Sequence, residues 1–457
     1  MPEAAAAELP RESPVERELH EIGTALAAEF PSRARHPVRA LDTRALERST
    51  EDADLRAALF RLVDVTPACR TLDDLARHLT SYLEGVEEPP PPLRAATRMA
   101  NSAPGRRALG AAAAAAVRHM AERFIVAESP RAARRQLTEL WSHGVASTLD
   151  LLGEATVTAA EAETYAARCA TALDELAETA SGWPERPRLE RDSLGPIPRA
   201  NLSVKVSALT PLMRPDAPER GRDDAARRLE PLLRHARDLD AHLHIDMESV
   251  DSLETTMELV FGVLSGPKLR DGPSAGVVLQ AYLRDSPAHL ERILSWARER
   301  PRTRPLVVRL VKGAYWDHEV VEARQHGWRP PVFERKADCD RNFEELTRRL
   351  LDARPLVRVA VGSHNLRSVS HAIAYNRATG GDDADLELQV LRGLGDDLQH
   401  ALAHSGLRVR SYCPVGELVA GMAYLVRRLL ENTSNESFLH EQARGVSVEE
   451  LLAPPPP

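Results

Sequence analysis

Residues 306–317 read LVVRLVKGAYWD. The run Leu306–Val311 is short, apolar and largely β-branched, which reads as a strand buried on both faces. Arg309 stands inside it, between Val308 and Leu310, and Lys312 and Tyr315 follow its end. A long cation among aliphatic side chains is costly unless it is paired. A barrel whose chemistry sits at the C-terminal ends of its strands provides a reason to place one there.

The same texture recurs from about residue 135 onward, where short strand-like runs alternate with amphipathic stretches. The predicted strands are Val145–Leu151, Asn201–Val206, Leu243–Met247, Gly276–Tyr282, Leu306–Val311, Val357–Val361, Leu386–Leu391 and Arg408–Tyr412. The predicted helices between and after them are Ala159–Ala177, Asp223–Leu239, Ser252–Leu264, Ala288–Arg298, Asn342–Leu351, Leu366–Ala374, Asp396–His404 and Gly416–Glu431. Eight strands, each followed by a helix, over about 300 residues predict an α/β protein with a TIM-like (β/α)8 barrel. The rival is a doubly wound open sheet. No GxGxxG follows any of the strands, which argues against a Rossmann site and a nicotinamide dehydrogenase.

Residues 1–130 read as helical, with apolar positions three and four apart in Val15–Glu29, Asp52–Val63, Leu72–Leu83 and Arg106–Phe124. Glu88–Pro92 is a proline-rich break, and nothing in this region suggests chemistry. Leu451–Pro457 ends in four prolines, an extended linker composition. The predicted organisation is a helical arm and cap over 1–135, a barrel over 136–445 and a proline-rich tail or linker over 446–457.

Composition bounds the function. The chain has 457 residues, 43% hydrophobic but only 4% aromatic, so its core must be aliphatic. Arginine is far commoner than lysine, so a single arginine carries little weight. A net charge of −8 argues against a nucleic-acid binder with a global basic surface. Cys69, Cys169, Cys339 and Cys413 are scattered without a CxxC pair, which predicts a reduced cytosolic protein with neither disulfides nor a metal site. The N-terminus lacks an apolar signal segment. No uncharged apolar run reaches the roughly 18 residues that a bilayer requires.

The polar residues closing the strands are the candidate site. They are Glu154 after the first, Lys205 and Ser207 after the second, and Asp246 and Glu248 after the third. Gln280 and Tyr282 follow, then Arg309, Lys312 and Tyr315, then Ser363, His364 and Asn365, and finally Arg392 and Tyr412. Any one of these reads equally well as a structural ion pair. Eight polar strand ends together predict a polar mouth of mixed charge. The last helix, GELVAGMAYLVRRLLEN (416–432), carries Arg427 and Arg428 against an otherwise apolar face, with Glu431 one turn from Arg427. Two guanidinium forks suit a carboxylate gripped bidentately. On an isolated helix the pair would read as a solvated basic patch; its place after the eighth strand brings it to the mouth.

These segments resemble the proline dehydrogenase family, above all the catalytic barrel of bifunctional proline utilization A proteins. The matching stretches are DLLGEATVTAAEAETY (150–165), NLSVKVSAL (201–209), HIDMES (244–249), VVLQAYL (277–283), RLVKGAYWD (309–317), GSHN (362–365), YCPVGE (412–417) and YLVRRLLEN (424–432). The resemblance spans about 140–440 in order, and residues 1–130 resemble more weakly the arm and cap that precede that barrel.

The resemblance implies a barrel that holds FAD non-covalently and oxidises L-proline to Δ1-pyrroline-5-carboxylate. Hydride would pass from C5 to flavin N5, and electrons would go on to a membrane quinone. It implies flavin contacts from Met247, Gln280, Arg309, Val311, Lys312, Gly313, Trp316, Ser363 and His364. It implies that Arg427, Arg428, Lys205 and Glu431 engage or support the proline carboxylate. Asp246, Tyr315, Leu391 and Tyr412 would shape the pocket, and Arg309, Asp246 and Lys205 would be the catalytic group. A Δ1-pyrroline-5-carboxylate dehydrogenase, in the same or a separate chain, is the implied partner. The implied location is the cytoplasm, extending to a peripheral place at the inner face of the membrane.

Met247, Ser249, Ser363 and Cys413 depart from the commoner family pattern, which bears on fine contacts. The sequence extends into no aldehyde dehydrogenase and shows no DNA-binding ribbon-helix-helix. Two other readings stand beside this one: a Schiff-base aldolase using Lys205, and a barrel serving only as an interaction scaffold.

Overall fold

The computed structural model describes residues 13–30, 52–87, 89–153, 155–417, 421 and 446–456. Among them, parallel strands form a closed ring: β1 (Val145–Leu151), β2 (Asn201–Lys205), β3 (His242–Asp246), β4 (Ser274–Gln280), β5 (Leu306–Val311), β6 (Val357–Gly362), β7 (Leu386–Leu391) and β8 (Val409–Val415). β1 closes the ring by pairing with both β2 and β8, with Leu149 opposite Leu202 and Val145 opposite Val409. That closure rules out the open doubly wound sheet. The helices are α1 (Pro14–Ala28), α2 (Ala53–Val65), α3 (Leu72–Leu83), α4 (Pro91–Met99), α5 (Ala103–Phe124), α6 (Pro130–Ser142), α7 (Ala159–Ser181), α8 (Pro218–Asp238), α9 (Val250–Ser265), α10 (Ser286–Glu299), α11 (Trp316–Gln325), α12 (Lys336–Asp352), α13 (Leu366–Ala378), α14 (Asp396–His404) and α15 (Val448–Leu452).

Local chemistry explains many of these boundaries. Thr158 and Glu161 form a reciprocal capping box at the start of α7, and Asn365 accepts the Ser368 N–H at the start of α13. Prolines open α1, α5, α6, α8 and α10, where a missing N–H costs nothing. β1, β5, β7, α3 and α14 occupy the predicted spans. β2 stops at Lys205, because Val206–Leu209 turns into a short helix. β4 begins two residues before the predicted Gly276, because Ser274 pairs with His242. β8 runs to Val415, past the predicted Tyr412, because it pairs with β1 along the whole length of that strand. Apart from Gly416, Glu417 and Gly421, the predicted helix 416–431 lies outside the described residues, as does Glu154.

Two features were not anticipated from sequence. A small hairpin, Arg191–Asp192 against Gly195–Pro196, lies at the N-terminal end of the ring. Its Asp192 accepts two hydrogen bonds from Arg358 at 2.9 Å and one from Arg408 at 3.2 Å. Beside it Glu387 is gripped by Arg410 at 2.8 and 3.0 Å. The second feature is the anchoring of the chain's distant ends. The buried guanidinium of Arg367 on α13 bonds Glu16 of α1, Glu344 of α12 and the carbonyl of Leu452 on α15. Gly23 lets α15 come close, since a Cβ there would stand 2.4 Å from Leu452 Cδ2. Helices α2, α3 and α5 share a separate apolar cluster that includes Leu55, Leu62, Leu75, Leu79 and Leu109.

The floor of the barrel also holds His242 and His244, fully buried and hydrogen-bonded to each other at 3.1 Å. Burial, reinforced by Arg410, pushes His242 from 6.5 down to about 3, and burial with Arg309 takes His244 well below 6.5. Both stay neutral in the folded protein, while the unfolded chain takes up protons below 6.5. Their contribution to stability is therefore complete above 6.5 and is lost as pH falls toward about 3. The melting temperature is expected to fall between pH 7 and pH 5 more steeply in the parent than in a His242→Asn variant. Equal slopes in differential scanning calorimetry would count against this account.

Candidate active site

The mouth of the barrel is built at the C-terminal ends of the strands, from side chains that the parallel register sets next to one another. Lys205 of β2 stands opposite Asp246 of β3, and Asp150 of β1 stands opposite Ser203 of β2. Lys205 Nζ pairs with Asp150 and lies 3.9 Å from Asp246 Oδ2. Asp246 Oδ1 accepts Ser203 Oγ at 2.8 Å and Arg309 Nη1 at 2.9 Å. Asp246 Oδ2 accepts the Tyr412 hydroxyl at 2.8 Å, and the Arg309 guanidinium lies 5.3 Å from the centre of the Tyr412 ring. The result is an alternating array, Asp150, Lys205, Asp246, Arg309, carried by four different strands.

The electrostatics follow from burial and from this alternation. Burial alone would lower the Lys205 pKa, but Asp150 and Asp246 outweigh it and raise it. Lys205 is therefore held as a cation. Burial, with Asp150 and Asp246 nearby, holds the Tyr412 hydroxyl protonated well above its ordinary value. Arg309 is 5% exposed, yet its Nε and Nη2 have no hydrogen-bond partner among the described residues. A buried guanidinium with two idle donors is unusual and invites a ligand.

A second group lies around β4, β5 and the segments after them. Gln280 Nε2 donates to the carbonyls of Met247 at 3.3 Å and Glu248 at 3.0 Å, leaving Gln280 Oε1 without a partner among the described residues. Glu248 in turn accepts the backbone and hydroxyl of Ser207. Lys312 pairs with buried Asp340, which Lys336 also contacts at 2.7 Å. Burial would raise the Asp340 pKa, but the two lysines overcome this and lower it. Gly313 adopts φ +138°, and a Cβ there would collide with the Tyr282 ring at 2.4 Å, so only glycine fits. Trp316 Nε1 donates to the Phe333 carbonyl at 2.9 Å, and the residue is 38% exposed. The backbone N–H of Leu391 donates to His364 Nε2 at 2.8 Å, which fixes that nitrogen as unprotonated. Ser363 Oγ accepts the Asn365 N–H at 3.1 Å. Val311 and Tyr315 pack half-buried against the main core.

The structure thus joins Lys205, Asp246, Arg309 and Tyr412 directly, and joins Gln280 to Met247 and His364 to Leu391. Arg427, Arg428 and Glu431 lie outside the described residues. Asp150 and Ser203 were missed by the strand-end reading, which placed the polar end of the first strand at Glu154. Asp150 is the penultimate residue of VASTLDL and could have been found by counting two residues back from Leu152 along the alternating faces.

An isoalloxazine ring carries acceptors and a ring N–H on one edge, and the idle donors of Arg309 and idle acceptor of Gln280 match that pattern. No group of His, Cys, Asp and Glu among the described residues is arranged to hold a metal.

Comparison with known proteins agrees with this architecture. The pattern of the proline dehydrogenase family matches residues 133–441, and that of the proline utilization A N-terminal domain matches residues 16–124. The bifunctional protein PutA of Salmonella typhimurium is 32% identical over 351 residues, covering 74% of this chain and 25% of the relative. The chain thus spans about a quarter of that relative's length. The proline dehydrogenase of Deinococcus radiodurans is 30% identical over 322 residues, 70% of this chain and 89% of the relative. In three dimensions, the proline utilization A of Bdellovibrio bacteriovorus inactivated by N-propargylglycine superposes with a TM-score of 0.86 at 33% identity, covering 96% of this chain and 44% of that one.

Tyr412→Phe removes one of the hydrogen bonds that satisfy the partly buried Asp246. Loss of a charge-assisted bond of this kind is expected to lower unfolding free energy by about 1–3 kcal/mol, read from urea denaturation. An unchanged midpoint would show that Arg309 and Ser203 suffice for that carboxylate.

Proposed function

The chain belongs to the proline dehydrogenase family, and from that footing we propose that it oxidises L-proline to Δ1-pyrroline-5-carboxylate with FAD as cofactor and a membrane quinone as electron acceptor. The observation that carries this reading is the alternating array at the mouth, where Lys205 is kept as a cation beside an arginine with idle donors. That arrangement suits a small amphoteric substrate bearing a carboxylate next to a reacting amine.

FAD, when bound, supplies a two-electron acceptor for the hydride leaving C5 of proline. Arg309, Gln280, Met247, Val311, Lys312, Gly313, Trp316, Ser363 and His364 are the residues that would hold it. Lys205, with Arg427 and Arg428, would bind the carboxylate and so fix the ring's orientation, a proximity effect. Glu431 would steady Arg427. Tyr315, Leu391 and Tyr412 would enclose the ring, and Asp246 would keep Arg309 and Tyr412 in place. Arg309 would offset negative charge developing next to it, through donors already aimed and desolvated.

Proton handling follows from the same charges. Lys205 and Tyr412 both hold their protons tightly, so neither is suited to accept one from the substrate. The amine must therefore reach the site neutral or give its proton to Asp246, Glu154 or water. A Schiff-base lysine would need a readily lost proton, and the salt bridge to Asp150 works against that role for Lys205. No helix among the described residues is long and apolar enough to cross a membrane. We place the protein in the cytoplasm with peripheral access to the inner membrane face, and a Δ1-pyrroline-5-carboxylate dehydrogenase, in the same chain or a separate one, would take the product.

An anaerobic titration with L-proline decides the central claim. The purified protein is expected to show oxidised-flavin absorbance that bleaches with proline; no flavin, or flavin that proline leaves oxidised, overturns it. Arg428→Met is expected to raise the proline KM strongly while FAD stays bound, and loss of flavin with an unchanged KM would remove the carboxylate clamp. kcat/KM is expected to rise with pH toward the amine's own pKa, and a flat profile would point to a protein base.

A further inference from the structure

Asp150 is a second buried carboxylate at the mouth, and nothing in the sequence reading or in the proposed pocket uses it. Its side chain is 1% exposed, and one oxygen, Oδ2, has no partner among the described residues. A carboxylate sealed this well requires a counter-charge. It has one in Lys205, whose side chain is 14% exposed and so is not sealed. The pair is asymmetric: the anion is the deeper member and the cation the more accessible one.

The ammonium has three donors. Asp150 takes one, and Asp246 Oδ2 stands 3.9 Å away, beyond hydrogen-bond range and already holding the Tyr412 hydroxyl. The Lys205 backbone is fixed too, since its N–H donates to the Tyr165 hydroxyl at 3.3 Å. Asp150 thus holds the ammonium away from Asp246.

We propose that Asp150 is a positioning residue for proline recognition: it keeps the Lys205 ammonium charged and leaves its remaining N–H groups for the substrate carboxylate. The inference rests on the reading of the site as a proline-oxidising one. Without the Asp150 charge, Lys205 has two alternatives. It swings onto Asp246, away from the substrate carboxylate, or it loses its proton to burial. The charged and titratable groups around it are Asp150 on β1, Asp246 on β3, Glu248 beyond β3, Tyr165 and Cys169 on α7, and Tyr412 on β8. With Asp150 neutralised, Asp246 and Glu248 are the carboxylates that remain among the described residues to hold the proton.

The test is a double-mutant cycle on the flavin-loaded protein, using Asp150→Asn, Lys205→Met and the pair. Asp150→Asn is expected to raise the proline KM by about tenfold or more with kcat within about threefold, because a substrate-binding charge is weakened. Removing the Asp150 charge after Lys205 is gone is expected to change KM no further, since the two act as one unit. Asp150→Asn should also gain a fall in kcat/KM at alkaline pH that the parent lacks. Pyrrolidine, which has no carboxylate, should lose far less than proline does in either single variant. Asp150→Glu keeps the charge, so it should retain the parent's pH profile; it serves as the decisive variant if Asp150→Asn does not accumulate. Effects that multiply in the double variant, or equal losses on proline and pyrrolidine, would make Asp150 a structural ion-pair partner only. Failure of the parent protein itself to oxidise proline would instead remove the functional reading on which the inference stands.

Discussion

Closing a parallel sheet into a ring leaves an interior that water cannot fill, and every ionic side chain pointing inward must find its counter-charge within the ring. The two ends of this barrel meet that demand differently. At the floor, Asp192 and Glu387 are saturated by Arg358, Arg408 and Arg410, and the hairpin carrying Asp192 closes the end. At the mouth, Asp246 is saturated but Arg309 is not, and Lys205 keeps donors to spare. At the floor the carboxylates are saturated by arginines, although Arg408 Nε and His244 Nε2 have no partner among the described residues. At the mouth it is the cations that keep idle donors among the described residues, and a ligand that completes them would gain what the protein leaves unsatisfied.

The helices outside the ring serve the same end by fixing the barrel's wall. With so few aromatic residues, the core relies on leucine, valine and alanine, which pack well but give no directional preference. Direction comes from a few buried polar ties. Arg367 is the clearest, joining α1 and α15, from near opposite ends of the chain, to α12 and α13. Tyr165 does similar work at the mouth, tying α7 to the backbone of Lys205.

Much of this was legible from sequence because buried parallel strands leave a strong mark: short β-branched runs separated by amphipathic stretches. Lys205, Asp246, Gln280, Arg309 and Tyr412 stood out because a polar residue at the end of an apolar run is hard to explain by packing alone. Asp150 and Ser203 did not. Each lies inside its strand rather than at the end of it, and only the register, which puts Asp150 opposite Ser203 and Lys205 opposite Asp246, shows that they converge. Asp192 was invisible for a similar reason, since its partners are 166 and 216 residues away.

Periodicity and polarity are local properties, so the class of fold, the order of strands and helices, and the chemical types available at the mouth could be read along the chain. The sequence also supplied the arginine pair, Arg427 and Arg428, as the carboxylate-binding candidate. Which carboxylate faces which cation was settled only by folding. That choice depends on inter-strand register and ring closure, which bring residues dozens or hundreds of positions apart within hydrogen-bond distance. It is why Lys205, ambiguous in its own strand, becomes a fixed cation once Asp150 lies beside it.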